Sequence, residues 1–300
     1  MKLGRRSFLK SSSLIMGSMA IGHDDVFSKI LNTPVDLKKL RDTVGIYNEK
    51  GGTIGYYIND GMVVVIDSQF PESVKNFIKE LDIQEHKNID YLFNTHHHGD
   101  HTSGNTVLAN YTSSIIAHVN CPRLQIKRNN ARGENEKIVT ANLTFDNKFE
   151  LKLPNEKISA IHFGQAHTGG DIVIHFENTN IAHLGDLVFN NVFPYIDNTA
   201  ECSVSGWIKS LDNIIKHFDK DTSFIFGHAN NTENVSGDIN DIIKQRNYLE
   251  ALYNYVLKQS KENKSKEEIA ASTKIPGFEN IIESWEGAWK MNLEATFEQL

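Results

Sequence analysis

Four imidazoles and a carboxylate fall within six residues: His96, His97, His98, Gly99, Asp100 and His101. The run reads H-x-H-x-D-H and directly follows the strand-like stretch Tyr91, Leu92, Phe93, Asn94, Thr95. Imidazole nitrogen and carboxylate oxygen are the donors that hold divalent zinc, at about 2.0–2.2 Å. From a straight strand His96, His98, Asp100 and His101 could not all reach one ion. From a turn after a strand end they can serve two neighbouring ions. The chemistry implied is hydrolysis at a pair of metal ions about 3.5–4 Å apart. An affinity tag would sit at a terminus and carry no internal Gly-Asp. A merely solvated polar loop would not explain what lies downstream.

Downstream are three further candidates. His167 lies in the glycine-rich turn Gly164, Gln165, Ala166, His167, Thr168, Gly169, Gly170, Asp171. Asp186 closes the segment His183, Leu184, Gly185, Asp186, and His228 follows the apolar run Phe224, Ile225, Phe226 and then Gly227. Each candidate comes after a short apolar run. A site on one edge of a buried sheet requires that arrangement, because rigid strands fix the loops that carry the ligands.

Taken in order, these blocks resemble the metallo-β-lactamase-fold hydrolase superfamily, with 63–67 (VVVID) as the first of five blocks. The resemblance spans about residues 42–235. It implies an α/β chain folded as a four-layer αββα sandwich, followed by a C-terminal helical extension. It implies that His96, His98 and His167 bind one ion, that Asp100, His101 and His228 bind the other, and that Asp186 bridges them. Asp67 would support the metal loops from a strand end. Two Zn2+ ions per chain are expected, with a hydroxide shared between them as nucleophile. Asp100 would orient that nucleophile and pass a proton to the leaving group. The expected substrate is a small molecule with an ester, lactone, thioester or amide bond. Relatives that open β-lactams carry Ser or Cys where this chain has Asp186, which looks more like glyoxalase-type thioesterases and lactonases. β-Lactam opening is one alternative. Oxidation of persulfides on a single iron is another, and the full second set of ligands argues against it.

The remaining histidines are expected to have structural or surface roles: His23, His86, His118, His162, His175 and His217. His97 should point away from the ions, and His183, three residues before Asp186, is a candidate support for the ligands. Two cysteines, Cys121 and Cys202, do not make a disulfide framework.

The elements that must position these groups follow from apolar periodicity. Strands are expected over 45–47, 53–58, 62–66, 91–94, 115–117, 143–145, 149–153, 158–163, 172–176, 181–184 and 223–226. Helices are expected after Pro71, over 104–111, 121–128 and 207–218, and from 238 to about 259. Residues 129–136 read as a loop able to flank the site mouth. Trp285, Trp289, Leu293 and Phe297 recur every four residues, an apolar ridge on a last helix. It is expected to pack on the body, with a lid or a homodimer contact as alternatives.

Residues 1–22 read as an export signal. Arg5, Arg6, Ser7, Phe8, Leu9 and Lys10 resemble a twin-arginine motif, and the apolar stretch after it is too short to span a membrane. That places the mature chain in the periplasm, with residues 23–41 as a linker, 42–235 as the hydrolase domain and 236–300 as the extension. Loss of the signal removes Lys2, Arg5, Arg6 and Lys10 and no acidic residue, so the net charge moves from −7 to −11. Such a chain is poorly suited to phosphate backbones, so no nucleic-acid partner is expected.

Overall fold

The computed structural model describes residues 37–81, 88–133, 137–272 and 275–300. The twin-arginine-like segment, His23 and His86 lie outside the described residues. The central strands are short runs rich in Val, Ile and aromatic residues, such as Met62–Ile66 and Val173–Phe176. The first sheet takes β1 (Lys38–Arg41), β2 (Val44–Tyr47), β3 (Ile54–Asn59), β4 (Met62–Ile66), β5 (Tyr91–Phe93), β6 (Ile115–His118) and β7 (Leu143–Phe145), in that order. The second runs through β8 (Lys148–Lys152), β9 (Lys157–Ile161), β10 (Val173–Phe176) and β11 (Ile181–His183). Beyond β11 it adds β13 (Ser223–Ile225) and β15 (Ser236–Gly237), while β12 (Phe189–Asn190) pairs with β14 (His228–Ala229). Helices α1 (Pro71–Glu80), α2 (Gly99–Thr102), α3 (Asn105–Leu108) and α4 (Asn120–Arg132) belong to the first half. The second half carries α5 (Val204–His217), α6 (Ile239–Lys261), α7 (Lys266–Ala270) and α8 (Ala288–Phe297).

Three apolar layers hold these parts in an αββα sandwich. Alternate residues of β4 go to opposite sides: Val64 and Ile66 meet Ile174, Phe176 and Ile225 between the sheets. Val63 and Val65 pack on Val74, Phe77 and Ile78 of α1. Burial on both faces is why β4 reads as an unbroken apolar run. The outer face of the second sheet packs Val173, Ala182 and Phe224 under Trp207 and Leu211 of α5 and Leu249 and Leu252 of α6.

Strand direction builds the site. β4 pairs parallel with β5, and β11 parallel with β13. Their carboxyl ends therefore gather on one edge, and Asp67, the H-x-H-x-D-H loop, Asp186 and His228 follow those ends.

Three details differ from the expectations. A strand, β1, begins at Lys38 inside the expected linker. It is tied to the second sheet by Arg41, whose guanidinium donates to the carbonyls of Thr179, Asn180 and Asp221 and to Ser223 Oγ. The expected helix over 104–111 is the single turn α3, and a separate turn, α2, precedes it within the metal motif. Gly104 N–H bonds the Gln69 carbonyl at 2.8 Å, and a side chain there would collide with Ser68. Residues 129–132, expected as loop, continue α4, which ends at Gly133 in the left-handed region (φ 65°). The apolar ridge of the tail packs on the body, as expected. Trp285, Trp289 and Leu293 are buried, Trp289 Nε1 donates to the Ser272 carbonyl, and Asn292 Nδ2 donates to the Tyr248 hydroxyl. Both cysteines are buried free thiols.

Candidate metal centre

All seven expected ligands meet in one buried cluster. His96 Nε2 lies 3.1 Å from His98 Nδ1, which lies 3.0 Å from His167 Nε2. Asp186 Oδ2 is 3.7 Å from His96 Nε2 and 3.5 Å from His167 Nε2. On the other side, His101 Nε2 is 3.0 Å from Asp186 Oδ1 and 3.4 Å from His228 Nε2. Asp100 Oδ2 stands 3.1 Å from His228 Nε2 and 3.7 Å from His101 Nε2. Two groups thus form, His96, His98, His167 and Asp186 in one and Asp100, His101 and His228 in the other, with the Asp186 carboxylate facing both.

The residues fit a pair of cations. A tetrahedron with arms of about 2.0–2.1 Å has edges of about 3.3–3.4 Å, close to the donor separations here. The outward ring nitrogens of His96, His98 and His101 have fixed partners. His96 Nδ1 meets Thr95 Oγ1 at 3.0 Å, and Thr95 Oγ1 donates to Asp67 Oδ2 at 2.7 Å. His101 Nδ1 meets the same Asp67 oxygen at 2.7 Å. His98 Nε2 meets Asp197 Oδ2 at 3.3 Å. With their hydrogens placed there, His96 and His98 turn lone pairs toward each other, which only a cation between them makes favourable. Carboxylate and hydroxyl partners that fix the tautomer of a ligating imidazole are the usual support of metal sites.

The field in the cluster points the same way. Burial, and then the neighbouring His101, push His96 well below the ordinary imidazole range. Burial and His98 bring His167 down to about 3. Burial would also lower His101 and His228, but carboxylates outweigh it: Asp186, Asp100 and Asp67 hold His101 high, and Asp186 and Asp100 raise His228 to about 9. Asp100 and Asp186, which burial alone would raise, are kept well below the usual carboxylate range by His101 and His228. The second group therefore calls for positive charge, supplied by protons or by a metal.

The backbone is cut to fit. Gly227 N–H donates to the Gly185 carbonyl at 2.7 Å, and a Cβ on Gly227 would collide with Asp186 Oδ1. A Cβ on Gly52 would enter the His101 ring. His183 contributes as support: its Nδ1 accepts the Gly185 N–H at 3.1 Å and its Nε2 donates to the Thr53 carbonyl at 3.0 Å, locking the turn that carries Asp186. Asp171 accepts the amide and hydroxyl of Thr168, both at 2.7 Å, and so shapes the His167 turn. Of the seven candidates Asp100 is the most open, at 7 % exposure.

Three contributors were not marked by sequence reasoning: Thr95, Asp197 and Tyr195. Thr95 adjoins the motif, so its relay to Asp67 had a local signal. Asp197 and Tyr195 come from a loop remote in sequence. The Tyr195 ring stands 5.6 Å from the His98 ring and 6.1 Å from Trp285. The C-terminal extension reaches this flank, since Ile282 exchanges backbone hydrogen bonds with Asn191 and Phe193, both at 3.1 Å.

A two-sheet sandwich with paired His/Asp clusters at its strand ends defines a metal-binding α/β class. The profile described as "Metallo-beta-lactamase superfamily" matches residues 48–228, and the chain belongs to that superfamily. It is 23% identical over 236 residues to a "Metallo-beta-lactamase type 2" of Bacillus sp. (strain 170), covering 76% of this chain and 88% of the relative. Among solved structures it resembles a sec-alkylsulfatase from Pseudomonas sp., with a TM-score of 0.69 at 13% identity. That match covers 91% of this chain, which spans about half the length of the sulfatase (54%). A metallo-β-lactamase from Pontibacter korlensis matches with a TM-score of 0.58 at 15% identity, over 72% of this chain and 99% of that one. At these identities the structural likenesses establish the fold.

Proposed function

We propose that the chain is a dinuclear zinc hydrolase acting on an ester, lactone, thioester or amide bond of a small molecule. The observation that carries this reading is the Asp186 carboxylate, placed between two complete donor sets. His96, His98 and His167 would hold one ion, Asp100, His101 and His228 the other, and Asp186 would touch both. When bound, two such ions supply Lewis acidity toward the scissile bond and lower the pKa of water from about 15.7 toward 7. The chain's own residues do the rest. Asp100, the most open of the seven, would orient the attacking water and pass its proton from a carboxylate oxygen to the leaving group. Tyr195 forms an aromatic flank against which the apolar part of a substrate can lie.

β-Lactam opening is the second reading, favoured by the similarity to the Bacillus enzyme. An exported protein would meet such compounds, and the Arg5-Arg6 segment is proposed to direct twin-arginine export to the periplasm. Both readings are tested by one panel of lactone, thioester, carboxylic ester, sulfate ester and β-lactam substrates, assayed on the wild type, His96→Ala and Asp186→Ser. Loss of bound zinc together with a fall in hydrolysis of about a hundredfold or more is expected for both variants. Hydrolysis that survives His96→Ala would overturn the assignment.

A further inference from the structure

The tail of the chain grips the span between β12 and α5, and that span carries Asp197. Ile282 bonds the backbone at Asn191 and Phe193, both at 3.1 Å, and the Trp285 ring stands 6.1 Å from Tyr195. Past α8 the grip is made by side chains. Gln299 Nε2 donates to Asn198 Oδ1 at 2.6 Å, and Gln299 Oε1 accepts the Val204 N–H at 2.7 Å. Val204 opens α5, where the first amides have no carbonyl partner within the helix. Asn198 Nδ2 donates to the Ala295 carbonyl at 3.0 Å and to Glu298 Oε2 at 3.1 Å. Gln299 thus bridges both ends of the turn 198–204.

Asp197 stands next to this clamp. Its Oδ1 accepts the amide and hydroxyl of Thr199, at 2.9 and 2.6 Å, which leaves Oδ2 to face His98 Nε2 at 3.3 Å. An N–H···O bond spans about 2.7–3.2 Å, so a small further displacement would break this contact. Gly169 N–H and Ser203 N–H bond the carbonyls of Ala200 and Ala166, which ties residues 200 and 203 to the His167 turn. From α4, Arg123 reaches Glu201 and Lys127 reaches the Thr199 carbonyl. Those contacts are exposed, and exposed ion pairs contribute little. Asn198, the neighbour of Asp197, is held by the tail.

We propose that Gln299, acting through Asn198, is a positioning residue for the metal centre. The clamp sets the Asp197 carboxylate, and Asp197 sets the His98 ring. The C-terminal extension is then part of the support of a ligand as well as a cover for the core. This inference rests on the reading of His98 as a metal ligand.

The test is zinc affinity, by competition with a coloured chelator, on the wild type, Gln299→Ala, Asp197→Asn and the double variant. Gln299→Ala should weaken binding about threefold, less than the loss of a direct partner of a ligand. Added to Asp197→Asn it should cost nothing further, because both act along one path. Cobalt-loaded Gln299→Ala should show shifted visible bands, a sign of altered ligand geometry that a loss of packing elsewhere would not give. Asn198→Ala breaks the clamp from the other side and should repeat the pattern, which covers the case that Gln299→Ala fails to fold. Equal affinity and equal cobalt bands in the wild type, Gln299→Ala and Asn198→Ala would overturn the proposal and leave the metal reading standing. So would a loss that is the same with and without Asp197. A wild type that takes up no metal would refute the metal reading and the proposal together.

Discussion

Asp67→Asn should separate metal binding from folding more cleanly than removal of any ligand. Asp67 is fully buried and accepts three hydrogen bonds, from Thr95 N at 2.8 Å and from Thr95 Oγ1 and His101 Nδ1 at 2.7 Å each. Asparagine keeps an acceptor for the Thr95 amide. Its NH2 group then faces Thr95 Oγ1 and the His101 Nδ1–H, and two donors oppose each other at His101. The Thr95 hydroxyl must turn to accept, so the relay that fixes His96 is lost as well. Removing a partner of a ligating imidazole costs about 10–100-fold in metal affinity. Because two ligands are disturbed, the upper end is expected, about 2.7 kcal/mol. Zinc affinity would be read by competition with a coloured chelator, and the thermal midpoint of the metal-free protein would monitor the fold. The reasoning fails if Asp67→Asn retains both ions at wild-type affinity.

Asp197→Asn should weaken zinc binding by about tenfold, through His98, with little change in the metal-free thermal midpoint; chelator competition measures it, and an unchanged affinity would show that Asp197 does not orient His98. Gly227→Ala should drive Asp186 from its place and lower zinc content toward one ion or none, because the added Cβ meets Asp186 Oδ1; a normal metal content would contradict the fit. His118 gives a pH prediction. Burial, and then the stacked His162 ring at 4.1 Å, lower its pKa to about 4, against about 6.5 in the unfolded chain. The unfolded state therefore binds the extra proton between pH 6.5 and 4, and stability falls as pH drops through that window. His118→Asn should lose less thermal stability between pH 7 and pH 5 than the wild type; an equal loss would remove His118 from the account.

Much of the site was legible because its ligands are local punctuation. H-x-H-x-D-H, Gly-Asp and Gly-His each follow an apolar run, and the parallel pairing of β4 with β5 and β11 with β13 turns that order into one edge. Strand and helix positions were legible where periodicity was strong, as in 62–66 and 207–218. Pairings made only by the tertiary fold were not legible. Nothing near Asp197 announces that it faces His98 across 99 residues of chain. Arg41 reads as part of a polar linker until its carbonyl partners at 179, 180 and 221 are seen. Residues 129–132 read as loop by composition, yet they sit in helical register behind Arg128, and Gly133 decides where that helix ends.

The central claim is that one chain holds two metal ions around Asp186. Elemental mass spectrometry on the purified protein, with protein concentration from amino-acid analysis, tests it most directly. About two zinc ions per chain are predicted for the wild type, with fewer in Asp186→Ser. About one iron per chain, unaffected by Asp186→Ser, would contradict the account and favour single-iron chemistry at His96, His98 and His167.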